Sequence, residues 1–296
     1  MDKKEYGKGL AYGASAFMLW GCLPLYWRLV GAIAPYQIFA QRVLWSFAFV
    51  VVILLVKKEW KAFTDILRQP KNWLRIAGPA TFISINWLIY IWGVNNGYVI
   101  ESSLGYYINP LVLTLFGTLF LKEKLTRLQA GGIVLSAIGV IIKTVSYGRV
   151  PWVALILATS FAIYGLLKKL SHFGSLKGLA FETLFAGLPS LVYLLLQETG
   201  GKGISGNLPG YYWLLIAISG VATATPLLLF AEGTKRLPLT VVGFLQYIAP
   251  TLALIFGIFV FREGFDRISL LAFAFVWAGV VVFSVAQYRL LKQQKE

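Results

Sequence analysis

The sequence predicts an all-α polytopic membrane protein, with ten transmembrane helices arranged as two inverted five-helix repeats. Three observations carry this. The 296 residues are 58% hydrophobic and only 13% charged, against about 25% charged in a soluble domain, and the mean hydropathy is +0.73. Ten apolar runs are each long enough to cross a bilayer as a helix, and the short alternating segments of a membrane β-barrel are missing. The chain also repeats itself at a fixed offset of 140 residues.

The repeat centres on Gly105-Tyr106-Tyr107-Ile108-Asn109-Pro110 and the apolar run behind it, which ends at Glu123. Leu245-Gln246-Tyr247-Ile248-Ala249-Pro250 opens the matching run, which ends at Glu263. Phe116 and Phe256 fall in register, as do Gly93 and Gly233, Arg127 and Arg267, and Gly139 and Gly279. Self-similarity at one period is the mark of a duplicated architecture.

The first span, roughly 9–30, follows Lys3, Lys4 and Lys8. Its apolar run is too long for an ordinary signal core, so Ala32-Ile33-Ala34 and Leu19-Trp20-Gly21-Cys22 are not read as cleavage signals. The second span covers 36–56. The polar segment after it places Trp60, Phe63, Ile66 and Leu67 among lysines, which predicts a short amphipathic helix on the membrane surface. It serves as a snorkelling connector or as a partner-binding face. Spans over 74–94, 101–121 and 127–146 complete the first repeat, residues 1–148. The second repeat, residues 149–296, holds spans over 152–169, 176–197, 211–231, 238–261 and 268–289. Within it, the Gly-rich stretch Glu198 to Gly210 reads as a flexible loop.

Pro110 and Pro250 fall near mid-span and are expected to act as hinges. Each deprives the carbonyl four residues back, at Tyr106 and Gln246, of its helical partner. Broken backbone at that depth is tolerated where it is buried or lines a cavity. Small residues such as Gly9, Gly13, Gly131, Gly132, Ser136 and Gly279 let helices approach closely, within the bundle or across a dimer face.

Lysine and arginine set the orientation. With the N-terminus in the cytoplasm, twenty basic residues fall on the cytoplasmic side, Lys168, Lys169 and Lys177 among them. Six fall opposite: Arg28, Lys143, Arg149, Lys202, Arg262 and Arg267. Arg42 remains inside a span. The positive-inside rule then places both termini in the cytoplasm. Because five is odd, the second repeat enters the membrane from the other side. Inverted repeats are the usual architecture of secondary transporters, with a substrate site near the midplane at the repeat interface. The net charge of +15 is thus topological and does not point to nucleic acid. The single cysteine, Cys22, excludes an internal disulfide and a cysteine metal site.

An ionisable residue inside the membrane is costly and marks a site. Arg42 lies about 9 Å into the second span. Its repeat equivalent, Glu182, lies at a similar depth from the other end of the seventh. Across a ~30 Å core their depths differ by about 12 Å, so a direct ion pair is not assured. Arg42 is read as a fixed cation for a substrate carboxylate or phosphate, or as an organiser of the outer gate. The alternative is an arginine satisfied by carbonyls and Gln41, or one that snorkels outward. Glu182 is read as a proton-coupling carboxylate, since burial disfavours the charged form; the alternative is a carboxylate that balances Lys177. Glu101 opens a span and is expected to favour its helix N-terminus. Glu232 is expected to pair with Lys235 and Arg236, and Glu123 and Glu263 with the basic residues that follow them.

Polar and aromatic groups gather at the prolines: Tyr106, Tyr107, Asn109, Gln246 and Tyr247. Asn86 and Tyr90 are four apart and share a helix face, with Trp87 alongside. Trp20 and Tyr164 sit inside the first and sixth spans. A pocket of such groups suits an organic molecule with an apolar body and a few polar atoms. Trp73, Trp152 and Trp213 at span ends fit an interfacial belt. No nucleophile–base pair or metal cluster is visible, and the one histidine, His172, falls in a loop. The chain is therefore read as a non-enzyme with no catalytic residues, metal or cofactor. Its expected partners are a small-molecule substrate, membrane lipid and protons, and it acts as a monomer or homodimer.

Longer motifs carry a resemblance. They are Leu19-Trp20-Gly21 with Pro24-Leu25-Tyr26-Trp27, Arg42-Val43-Leu44-Trp45-Ser46, and Asn86-Trp87 with Tyr90-Ile91-Trp92 and Val94-Asn95. Glu101-Ser102-Ser103-Leu104-Gly105-Tyr106 running into Ile108-Asn109-Pro110-Leu111 is another, as is Ala158-Thr159-Ser160-Phe161-Ala162 with Tyr164-Gly165-Leu166. Together they resemble the RarD branch of the EamA family, in the drug/metabolite transporter superfamily, over essentially the whole chain. The resemblance implies two inverted EamA repeats and alternating-access export of small metabolites or drugs across the bacterial inner membrane. The branch is linked by name to chloramphenicol sensitivity. Gln41 departs from it, standing where the resemblance predicts histidine, so a proton carried by that histidine in relatives would need another group here. A passive facilitator or channel is the alternative, although no charge ring or filter motif appears.

Overall fold

The computed structural model describes residues 3–260 and 266–293, so Asp2, Arg262, Glu263 and Lys295 lie outside the described residues. The described chain is helical: α1 (Lys3–Leu29), α2 (Pro35–Val56), α3 (Trp60–Leu67), α4 (Trp73–Asn95), α5 (Val99–Phe120) and α6 (Arg127–Tyr147), followed by α7 (Trp152–Leu170), α8 (Ser175–Thr199), α9 (Tyr211–Arg236), α10 (Leu239–Leu245), α11 (Ile248–Phe259) and α12 (Arg267–Gln293). Among these residues, nine helical segments are long and apolar enough to span a bilayer; α10 and α11 count as one. With α1, whose first turns carry Lys3, Lys4, Glu5 and Lys8, they make the ten expected helices.

The packing follows the offset. α2 packs on α8, α5 on α10 and α6 on α12, so these helices meet their own counterparts in the other repeat. α1 packs on α9 and α11; by the same offset, α7 packs on α4 and α5. The two five-helix repeats are thus interlocked and inverted. Small residues allow this. A Cβ at Gly139 would stand 2.4 Å from the Ala272 carbonyl oxygen, and one at Gly279 2.2 Å from Ser136 Oγ. α6 and α12 therefore meet nearly backbone to backbone. Gly233 faces the backbone of Gly13 in the same way, which seats α1 on α9. The close approaches at Gly9, Gly13, Gly132 and Gly279 are thus made within the chain, whereas Gly131 faces open space.

The connector helix α3 forms as its pattern predicts and is docked. Phe63 is buried and stacks on Phe181 of α8, ring centroids 4.7 Å apart. Lys177 donates to Glu59 at 2.7 Å.

Two expectations are corrected. The Glu198 to Gly210 loop is not loose. Glu198 accepts from the Ile204 backbone N–H at 2.9 Å, and Asn207 donates to the carbonyls of Gly201 and Gly203. Ile204 is buried with Val30, Ile33 and Ile216. Gly201 and Gly206 supply the left-handed turns. Its polar side chains pin the loop that its glycines suggested was free. The two proline positions also differ. Pro110 sits inside the continuous helix α5, whereas the equivalent span breaks at Gln246–Tyr247 and restarts as α11 just before Pro250. The Gln246 carbonyl does not stay unpartnered, since it accepts from the Ala249 N–H at 3.1 Å.

Candidate functional site: an open arginine recess and a sealed acid–base triad

The predicted site residues fall into three groups. The first lies in the half of the bundle away from the chain termini. Arg42, in the second turn of α2, has its guanidinium carbon 5.1 Å from the Trp87 ring centroid, 5.5 Å from Phe39 and 5.6 Å from Trp27. Tyr90 and Tyr106 lie within electrostatic range of it. Their rings meet edge to face, centroids 5.9 Å apart. Tyr90 is 36% exposed and Tyr106 45% exposed, although protein atoms surround both. Arg42, Trp87, Tyr90 and Tyr106 thus share an open recess fed by α2, α4 and α5.

The second group lies in the half nearest the termini and is closed. Glu182 accepts from Lys168 Nζ at 2.7 Å and from the Tyr164 hydroxyl at 3.0 Å, and all three side chains are buried. Above this triad, Trp20, Phe17, Phe161 and Phe230 pack ring on ring with Tyr164. Trp20 and Tyr164 therefore belong to a sealed aromatic layer rather than to the Arg42 recess. Two readings are corrected. Glu182 is balanced by Lys168 and not by Lys177, whose partner is Glu59. Lys168 is not a loop residue: it lies in the last turn of α7 and is 2% exposed. A small surface depression on the terminal side is lined by Arg75, Pro79, Ser171, Gly178, Phe181 and Glu182, among others.

The third group sits where α5 crosses α10. Asn109 and Gln246 are buried, and Asn109 Oδ1, Gln246 Oε1 and Thr114 Oγ1 have no hydrogen-bond partner. The Tyr247 hydroxyl donates to the carbonyl of Tyr107, its own repeat equivalent, at 3.4 Å. Gly243 makes the crossing close, since a Cβ there would lie 2.7 Å from the Pro110 oxygen. Asn86 stands apart from all three groups. Its amide donates to the Leu157 carbonyl and Ser160 Oγ, which ties α4 to α7.

Glu101, Glu123 and Glu232 bond within the fold, though not always to the partners expected. Glu101 caps α7 rather than its own helix, accepting from the Val153 N–H at 2.9 Å and from the Tyr147 hydroxyl at 2.8 Å. Glu123 caps α10 through the N–H groups of Leu239 and Thr240 rather than pairing with the basic residues after it. Glu232 pairs with Arg236 as expected. Lys168 is a site residue that hydropathy missed, as it missed Phe39 and Trp27 beside Arg42. A signal existed, because the offset that pairs Arg42 with Glu182 also pairs Arg28 with Lys168.

A bundle of interlocked inverted repeats with an open recess on one side defines the class: a polytopic membrane transporter. The comparisons give the family. The profile of the EamA-like transporter family matches residues 7–145 and again 150–285. The chain is 45% identical to the uncharacterized transporter YojE of Bacillus subtilis (strain 168), over 100% of this chain and 99% of that one. It is 40% identical to Protein RarD of Streptomyces exfoliatus (95% and 90% covered) and 34% identical to Protein RarD of Escherichia coli K12 (96% of each). A protein of known crystal structure superposes with a TM-score of 0.73 at 20% identity, over 96% of this chain and 99% of that one, which shows the fold. The chain belongs to the EamA-like transporter family. It is a multi-pass membrane protein of the RarD group of transporters.

Proposed function

We propose that the protein is a secondary transporter that exports a small organic metabolite or drug across the bacterial inner membrane by alternating access, with protons as the coupling ion. Both termini then lie in the cytoplasm, and the repeats divide near residue 148. The substrate meets Arg42, Trp87, Tyr90 and Tyr106 first. Glu182 exchanges the proton when the terminal side opens. The bend at Gln246–Tyr247, next to Pro250, is the element that straightens as access changes, and Pro110 is its counterpart.

One observation carries this reading. Residues that are equivalent by sequence are unequal in exposure. Tyr106 is 45% exposed and its equivalent Gln246 5%, while Tyr90 is 36% exposed and its equivalent Phe230 fully buried. Two halves built on one plan, one open and one sealed, are what alternating access requires. Exchanging their states would open the other side without a new fold.

The test is flux into liposomes holding the purified protein, with and without an imposed proton gradient. Gradient-dependent accumulation supports the proposal. A rate and end point indifferent to the gradient would replace it with a passive facilitator. Glu182→Gln is expected to stop proton-driven flux and leave solute counterflow.

A further inference from the structure

We propose that the transported solute is an organic monocarboxylate with a planar aromatic body, its carboxylate seated on Arg42 and its ring against Trp87, Tyr90 and Tyr106. This rests on the transporter reading above and names the substrate class of that site.

Charge balance points to an anion. Arg42 and Glu182 are repeat equivalents inside the membrane. The charge of Glu182 is matched by Lys168 at 2.7 Å. Among the described residues, no carboxylate lies within ion-pair reach of Arg42. Its Nε is buried and has no hydrogen-bond partner. Three rings flank the guanidinium. Such rings attract a cation through their faces, but they offer nothing to its in-plane N–H donors, of which arginine has five in a fixed fork. A carboxylate matches that fork with two parallel hydrogen bonds.

The number of charges narrows the class. One guanidinium balances one negative charge. A phosphate monoester carries about −1.5 to −2 at neutral pH, which would leave charge unmatched in the recess. The lining narrows it further, because Trp27, Phe39, Trp87, Tyr90 and Tyr106 are all aromatic. Stacked and edge-to-face contacts favour a planar ring over a flexible chain, and the Tyr90 hydroxyl, which accepts from that of Tyr106, keeps its own O–H to donate to a polar atom on it.

The experiment uses the purified full-length protein and matched probes: benzoate, phenylacetate and 3-phenylpropanoate, their amides, the corresponding amines, and phenyl phosphate. Thermal unfolding is followed against probe concentration, since a ligand that binds the folded form raises its stability. The carboxylates should raise the midpoint in a dose-dependent way, while the amides and amines leave it unchanged and phenyl phosphate acts more weakly. Arg42→Gln should weaken carboxylate binding about tenfold or more. Arg42→Lys, which keeps the charge without the fork, should retain part of it. Amides or amines that stabilise as well as the acids would overturn the proposal. So would a panel in which no carboxylate shifts the midpoint, or a folded Arg42→Gln protein with an undiminished response. The wild-type comparison decides the matter even where a variant fails to fold. Gradient-driven flux of a neutral or cationic solute would sink the anion class and leave the transporter reading standing. Carboxylate binding without flux of any solute would do the reverse.

Discussion

Glu182 and Lys168 face each other with about 3% of each side chain exposed, and at that burial the pair is held by mutual need. Removing one partner strands a charge at a cost of roughly 3–5 kcal/mol, while replacing both with apolar groups is often neutral. Glu182→Leu should therefore lower the unfolding midpoint sharply. Adding Lys168→Met to it should recover most of the loss, which thermal unfolding of both variants checks. At Arg42 the prediction is the opposite. Arg42→Ala removes a charge with no acidic partner among the described residues, so the protein should stay folded and inserted while flux is lost. Wild-type flux in that variant would falsify its site role. The sequence revealed Arg42 and Glu182 as charges inside spans, because a lone charge stands out against apolar neighbours. Lys168 was hidden because it adjoins Lys169 at a span end and reads as a loop cation. Only the fold, which brings the end of α7 to the start of α8, shows what it neutralises.

At the scale of elements, helix crossings are set by single glycines. Gly139→Ala places a methyl 2.4 Å from the Ala272 carbonyl oxygen, and overpacking of this kind costs about 1–3 kcal/mol. Gly131, a neighbour on the same helix, has nothing within 4 Å of its Cβ position. Gly131→Ala should be neutral or stabilise by up to about 1 kcal/mol through helix propensity. Parallel unfolding of the two variants tests whether α6 meets α12 through the face assigned here. The spans themselves were legible, because hydropathy and the offset both report on helix length and position. The broken helix was not. Pro110 and Pro250 share a motif, yet only the second follows a break. The shared Tyr, Ile and Pro of the two motifs do not tell the two apart; the break falls where α10 is seated on α5 at Gly243. The pinned loop after α8 was also missed. Its glycines are visible in composition, but the side-chain bonds of Glu198 and Asn207 to backbone within the loop, which close it, are not.

Over the whole molecule, two repeats built on one plan make an asymmetric structure. The inverted repeat was readable from one offset and a count of basic residues. Moving Lys168 from loop to core leaves that count decisive. Which half stands open was not readable, since the repeats carry equivalent helices and the choice is a balance of packing between two arrangements. The central claim is that these halves are inverted, with one open and one sealed. Thiol labelling in sealed vesicles of known orientation tests it most directly. Cys22 is free and exposed, so it is first replaced by serine, and single cysteines are then placed at Lys4, Tyr106, Gln246 and Gln293. A membrane-impermeant reagent should reach Tyr106→Cys from the outside only. Lys4→Cys and Gln293→Cys should react from the cytoplasmic side only, and Gln246→Cys should be protected from both. Labelling of the two terminal positions from opposite faces, or equal labelling of Tyr106→Cys and Gln246→Cys, would contradict it.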